Sequence, residues 1–251
     1  MLTLKAPAKL NLTLEVLAKR HDSFHEIRSV IQTINLCDSL RFQLSQNIEL
    51  NSDQSDWIPE KSLVSRAASL LQEVTGYGKG ATIEVTKRIP LLSGLGGDSS
   101  DAAAILRGLN KLWGLGLSQG KLLELATQLG SDVAFFLYGG TALVDGRGEI
   151  VTPLPPVPPM WVVLLLPQVP RIPGKTKRLY ASLKVSNYTG GQITDSLVAQ
   201  LAGCREVMPS LLFNVFDDVA RDSFTGLKEY WEQFLKAGSQ EVHLAGSGPS
   251  L

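Results

Sequence analysis

The stretch Pro90-Leu-Leu-Ser-Gly-Leu-Gly-Gly-Asp-Ser-Ser-Asp101 decides how this sequence is read. Gly94, Gly96 and Gly97 allow close backbone approach to a ligand and present oriented N–H groups, and Ser99 and Ser100 add hydroxyls for a phosphate or a Mg²⁺ ion. Directly behind them Ala102, Ile105, Leu106, Leu109, Leu112 and Trp113 recur every three or four residues until Gly114 and Gly116, so a helix begins at the loop. Glycines alone would mark a strand-to-helix turn. Glycines, hydroxyls and a positive helix end together are what a polyphosphate needs. A P-loop would require Lys-Ser or Lys-Thr where Asp98-Ser99 stands, and a dinucleotide fold would require Gly-x-Gly-x-x-Gly and a carboxylate near Leu115-Gly-Leu117. Protein-kinase signatures are absent.

Upstream, Leu10, Leu12, Leu14 and Val16 alternate with Asn11, Thr13 and Glu15, the period of a strand with one buried face, which puts Lys9 and Asn11 on the other face. Leu40 to Leu44 and Ala81 to Thr86 also read as strands, with a helix from Leu63 to Val74 between them. Downstream, a Ser118 N-cap opens a helix ending at Gly130, which leaves Asp132 at a turn before the apolar Val133 to Leu137. Thr152 to Pro159 carries five prolines in eight residues and is the expected boundary between two lobes, 1–155 and 156–251. Beyond it Met160-Trp-Val-Val-Leu-Leu-Leu166 reads as a buried strand, with helices over about Asp195 to Leu201 and Val219 to Ala237.

Composition bounds the function. The 251 residues are 44% hydrophobic and 19% charged, enough for a full core, and 24 basic side chains cancel 24 acidic ones. No bulk field steers the chain to nucleic acid or an anionic membrane. Cys37 and Cys204, with three histidines, are too few for a disulfide framework or a structural zinc site, so a reducing compartment fits. The N-terminus shows no targeting segment, and the seven-residue apolar run falls short of the ~20 needed to span a bilayer, so a cytoplasmic protein is expected.

The motif from Pro90 to Ala103 resembles the phosphate loop of the GHMP kinases, and its Gly-Gly-x-Ser-Ser-Asp-Ala-Ala ending resembles that of the 4-diphosphocytidyl-2-C-methyl-D-erythritol kinases within that superfamily. Ala6-Pro-Ala-Lys-Leu-Asn11, Phe24-His25, Gly130-Ser-Asp-Val-Ala-Phe-Phe136, the Gly139 to Glu149 hairpin and Ala245-Gly-Ser-Gly248 are similar to further motifs of that group, so the resemblance spans nearly the whole chain.

The resemblance implies an α+β two-lobe GHMP-kinase fold, with a ribosomal-protein-S5-domain-2-like N-terminal lobe and a ferredoxin-like C-terminal lobe. It implies transfer of the ATP γ-phosphoryl group to the 2-hydroxyl of a CDP-linked methylerythritol in non-mevalonate isoprenoid synthesis, with Mg²⁺, by a monomer or weak homodimer. Asp132 matches the family's base and Lys9 its charged partner. Leu63, Lys87, Pro90, Gly94, Leu95, Gly96, Gly97, Asp98, Ser99 and Ser100 are implied at the nucleotide, Ser100 also at the metal, and Asn11, Phe24, His25 and Thr176 at the acceptor substrate.

The sequence departs from the pattern at four places. Phe24 stands for a tyrosine, Ser62 for a common asparagine, and Asp98 for a glycine. A carboxylate ~4 Å from a phosphate charge would cost ~1 kcal/mol in water and ~4 kcal/mol at an effective dielectric of 20, so Asp98 is expected to face solvent or help recruit Mg²⁺. Members of the family usually continue past the last glycine motif into further strand and helix, whereas the sequence stops at Leu251; either the C-terminus is unusual or, if a strand is missing, a sheet edge is left unpaired. The rival readings are a mevalonate or homoserine kinase of the same superfamily, against which Ser99-Ser100-Asp101 and Phe24-His25 speak, and a non-catalytic nucleotide-binding protein. A pure binder has no need of Lys9 and Asp132 together.

Overall fold

A computed structural model describes residues 1–170, 172, 174–203 and 206–251; Cys204 lies outside the described residues. In chain order the elements are β1 (Leu2–Asn11), β2 (Thr13–Lys19), β3 (His25–Ser45), β4 (Glu49–Ser52), α1 (Leu63–Thr75), β5 (Gly80–Thr86), α2 (Gly97–Leu112), α3 (Gln119–Leu129) and α4 (Ser131–Tyr138). There follow β6 (Thr141–Gly146), β7 (Ile150–Pro153), α5 (Lys175–Ser182), α6 (Gln192–Ala202), β8 (Phe213–Asn214), α7 (Asp217–Ser223) and α8 (Leu227–Lys236). Packing divides the chain into two compact units, each built from separate stretches.

The first unit comprises Met1–Lys9, Thr33–Leu91 and Gly96–Gly139. Here β3 runs antiparallel to β5, with Leu40 opposite Val85 and Phe42 opposite Ile83, and β4 lies parallel to β5. These four side chains are fully buried while Arg41 and Glu84 between them reach solvent, the alternation that the period-2 pattern predicts. The helices cover that apolar face. α2 is alanine-rich on its buried side, Ala102 to Ala104, so α1 and α4 approach it closely. α3 starts at Ser118, whose hydroxyl accepts from the Lys121 N–H at 3.2 Å.

The second unit comprises Leu10–Gln32, Leu92–Leu95 and Gly140–Leu251, and the proline-rich stretch around Pro155 lies within it. β2 pairs antiparallel with the start of β3, with a register shift between Val16 and Ala18, and parallel with β8. β6 pairs antiparallel with β3 and with β7, closing the hairpin read from Gly139 to Glu149. Its core is Leu14, Val16, Phe216, Phe224, Leu227 and Trp231 with their neighbours. Burying each such side chain contributes about 1.5–3 kcal/mol against chain entropy.

Four expectations are corrected. Both faces of β2 are buried, because Thr13 and Glu15 bond into the unit: Thr13 Oγ1 accepts from Val30 N–H, and Glu15 Oε2 from Thr194 N–H at 2.7 Å. Asp132 sits in the first turn of α4 and not at a turn, since the apolar run behind it is buried helix. The pattern from Val219 to Ala237 is two helices, α7 and α8, separated at Phe224 to Gly226. Met160 to Leu166 is neither buried nor a strand: Trp161 is 98% exposed, and along this run Leu165 exchanges backbone hydrogen bonds with Leu251 without a continuing ladder. An apolar run signals a need for cover, not its source. Among the described residues no helix is long and apolar enough to cross a membrane.

Candidate active site

In the first unit, β1 carries Lys9 at its C-terminal end and α4 carries Asp132 in its first turn. Their charged atoms, Lys9 Nζ and Asp132 Oδ2, are 3.6 Å apart. The lysine side chain is 6% exposed and the carboxylate 38%, so a nearly buried cation is held beside a carboxylate that still reaches solvent. A carboxylate in the first turn is also favoured by the helix end. Gly96 (φ +73°) packs against Lys9 and α4: a Cβ there would lie 2.8 Å from the Phe136 ring and 3.1 Å from Lys9 Cγ. The glycine permits both the left-handed turn and the close approach of loop, lysine and α4.

Gly96 is also the N-cap of α2, and no side chain caps that end, so the N–H groups of Gly97, Asp98 and Ser99 are available to an anion. Ser100 Oγ is buried in the same turn with no hydrogen-bond partner among the described residues. A buried hydroxyl there suits a phosphate oxygen or a metal ion. The middle of the loop belongs to the second unit, where Gly94 meets the late glycine motif backbone to backbone. A Cβ on Gly94 would be 1.9 Å from the Ala245 carbonyl oxygen, and one on Gly248 1.9 Å from that of Ser93. Leu95 is fully buried.

The second unit also holds the residues implied for the acceptor. Asn11 Nδ2 donates to Ser29 Oγ at 2.8 Å, and Thr176 Oγ1 lies 2.8 Å from Ser247 Oγ of the late glycine motif. Phe24 is 52% exposed, with the Arg147 guanidinium 4.9 Å from the centroid of its ring. His25 stacks on Tyr180 at 4.7 Å and meets the edge of Tyr188. Desolvation, with Lys19 nearby, holds its pKa below the usual imidazole value, which favours the neutral ring.

Residues 62–140 match the family described as GHMP kinases N terminal domain. Over 252 aligned residues, 100% of this chain and 88% of the relative, the chain is 50% identical to a 4-diphosphocytidyl-2-C-methyl-D-erythritol kinase of Dehalococcoides mccartyi. The chain belongs to the 4-diphosphocytidyl-2-C-methyl-D-erythritol kinase family. A relative of that name from a Geobacillus species is 40% identical over 100% of this chain and 86% of its own length. A crystal structure of 4-(cytidine 5'-diphospho)-2C-methyl-D-erythritol kinase matches with a TM-score of 0.83 at 32% identity, covering 99% of this chain and 88% of that one. The α+β GHMP-kinase fold and the small-molecule kinase class expected from sequence are therefore the ones found.

Asp98, Ser62 and Lys87 are all engaged within the first unit. Asp98 does not face solvent: its Oδ2 accepts from the Leu63 N–H at 3.0 Å, and burial pushes its carboxyl above the usual range despite that bond and Lys87. Ser62 precedes α1 but turns its hydroxyl onto the Pro59 carbonyl at 2.6 Å, so Asp98 supplies the side-chain acceptor for the first turn of α1. The Lys87 side chain is 3% exposed, and its ammonium is bonded to Asp38 and Asp101. Sequence reading missed Asp38, Tyr180, Tyr188 and Ser247. None sits in a spacing that signals chemistry, although Ser247 lies inside a motif that was singled out.

Proposed function

We propose that this chain transfers the γ-phosphoryl group of ATP to the 2-hydroxyl of 4-diphosphocytidyl-2-C-methyl-D-erythritol, the acceptor named by its relatives, as a step toward isoprenoid precursors. The observation that carries the reading is the Lys9–Asp132 pair beside Gly96 at the start of α2. The hydroxyl oxygen forms a bond to the γ-phosphorus, the bond from that phosphorus to the β–γ bridging oxygen breaks, and ADP leaves. Asp132 takes the hydroxyl proton, and Lys9 favours the carboxylate and stabilises charge gathering on the transferring group. The N–H groups of Gly97, Asp98 and Ser99 at the start of α2 hold the phosphates. Mg²⁺, when bound, neutralises phosphate charge, and the orphaned Ser100 hydroxyl is the residue that would hold it.

On the acceptor side, the exposed Phe24 ring offers a stacking face to the pyrimidine, and neutral His25, braced by Tyr180, offers hydrogen bonds to its edge. Asn11 and Thr176, fixed by Ser29 and Ser247, take the sugar or methylerythritol hydroxyls. ADP release measured with 4-diphosphocytidyl-2-C-methyl-D-erythritol, mevalonate, homoserine and no acceptor tests the proposal. Turnover confined to the first supports it. Equal turnover with mevalonate or homoserine, or none with any acceptor, refutes it.

A further inference from the structure

Asp38, on β3, is a fully buried carboxylate with no part in the chemistry above, and its bonds all lead to the phosphate loop. Its Oδ1 accepts from the Arg88 N–H at 2.5 Å and the Ile89 N–H at 2.7 Å, and its Oδ2 from Lys87 Nζ at 2.5 Å. Residues 87 to 89 are the stem entering the loop, since Pro90 follows. Lys87 Nζ also donates to Asp101 Oδ2 at 2.6 Å, and Asp101 lies on the stem leaving the loop, in the second turn of α2. One carboxylate thus grips the incoming backbone, and one ammonium ties it to the outgoing helix.

The stems also touch directly. A Cβ on Gly97 would lie 3.0 Å from Ile89 Cγ2 and 3.5 Å from Lys87 Nζ. Such a buried cluster is an unpromising source of stability, because taking charged groups out of water offsets most of their attraction. What short charge-assisted bonds do supply is fixed geometry. Nor is Lys87 free to swing out to a nucleotide, since doing so would leave Asp38 and Asp101 buried without their cation.

We propose that Asp38 is a positioning residue for ATP: through Lys87 and Asp101 it clasps both stems of the phosphate loop and so sets nucleotide affinity without touching the nucleotide. This rests on the reading that the loop binds ATP phosphates. A small misplacement of groups that orient a reactant is expensive, so loosening the clasp acts on the nucleotide and spares the acceptor substrate.

The test is calorimetric binding of a non-hydrolysable Mg-ATP analogue, and separately of 4-diphosphocytidyl-2-C-methyl-D-erythritol, to the parent chain, Asp38→Asn, Lys87→Met and the double variant, alongside kcat and each KM. The clasp predicts that Asp38→Asn weakens the analogue about tenfold or more, leaves acceptor affinity within about threefold, and gives a double variant no worse than the weaker single, because both changes break one device. If Asp38→Asn does not fold, Asp101→Asn, which keeps a carbonyl acceptor for Lys87, is read in the same way. Analogue affinity unchanged in a folded Asp38→Asn overturns the clasp. Loss in Lys87→Met alone also overturns it, because Lys87 would then be a direct contact. Parallel loss of both ligands with lowered melting temperature reduces Asp38 to a purely structural residue. A parent that binds no analogue removes the nucleotide reading as well, a result distinct from tight parent binding with an unaffected Asp38→Asn.

Discussion

Replacing Asp98 by alanine and by asparagine separates what its carboxylate does for the fold from what a charge in a phosphate loop does to ATP. The acceptor atom is Oδ2, 3.0 Å from Leu63 N, at a helix end that Ser62 leaves uncapped. Losing a side-chain cap costs about 1 kcal/mol, within a range of about 0.5–2. Alanine should therefore lower the melting temperature by about 2–4 °C, the shift expected per kcal/mol for a chain of this size. Asparagine keeps an oxygen for Leu63 and removes a charge whose burial is unfavourable, so it should melt within about 1 °C of the parent at neutral pH.

The pH dependence has a definite sign. Burial, the largest cause, raises the folded-state carboxyl above its unfolded value, so the folded state holds the proton more tightly. The parent accordingly loses stability as pH rises through the window just above the unfolded value of 3.8, and Asp98→Asn, which does not titrate, gains on the parent across that window. Thermal melts of all three proteins at pH 3.5 and pH 7 are the assay, with KM for ATP and the Mg²⁺ dependence measured beside them. Equal melting temperatures for alanine and parent would refute the capping role, and a changed Mg²⁺ dependence in Asp98→Asn would return the residue to the cation.

Asp132→Asn should lower kcat by about 10²–10⁴ with both KM values little changed, and a near-normal rate in steady-state assays would remove its role as base. Gly248→Ala should destabilise the chain by about 1–3 kcal/mol or more in denaturant titrations, because its Cβ would meet the Ser93 carbonyl oxygen at 1.9 Å; an unchanged midpoint would show that the two glycine motifs do not touch. Phe24→Ala should raise KM for the cytidine substrate about 5- to 150-fold, the equivalent of ~1–3 kcal/mol of stacking, whereas Phe24→Tyr should stay within about twofold of the parent; equal effects would mean the ring face is unused.

Period and punctuation made most of the elements readable. The helix behind the glycine loop and the Ser118 cap appear where the spacing of Ala102 to Trp113 and the Ser-to-Gly frame put them. Lys9 and Asp132 were legible as a pair because their flanking motifs resemble known ones, and the fold brings their charges to 3.6 Å. What escaped was set by tertiary contact. Asp38 looks like any strand-end carboxylate until its three donors, all from residues 87 to 89, are seen. Asp98 reads as a phosphate-loop residue, yet its partner is 35 positions away at another helix end. Met160 to Leu166 carries a strand's composition, but a strand exists only when a neighbour supplies a ladder, and that information is not local. Glu15 follows the polar phase of an alternating strand and is buried all the same, because Thr194 brings a backbone donor to it.

The most direct test of the account is the identity of the product. Phosphorus and proton NMR of a completed reaction with ATP and 4-diphosphocytidyl-2-C-methyl-D-erythritol should show one new phosphomonoester on the 2-hydroxyl for each ADP formed, and none with Asp132→Asn on the same timescale. ADP appearing at the same rate without acceptor, or a phosphate on any other hydroxyl, would contradict the placement of transfer chemistry at Lys9 and Asp132.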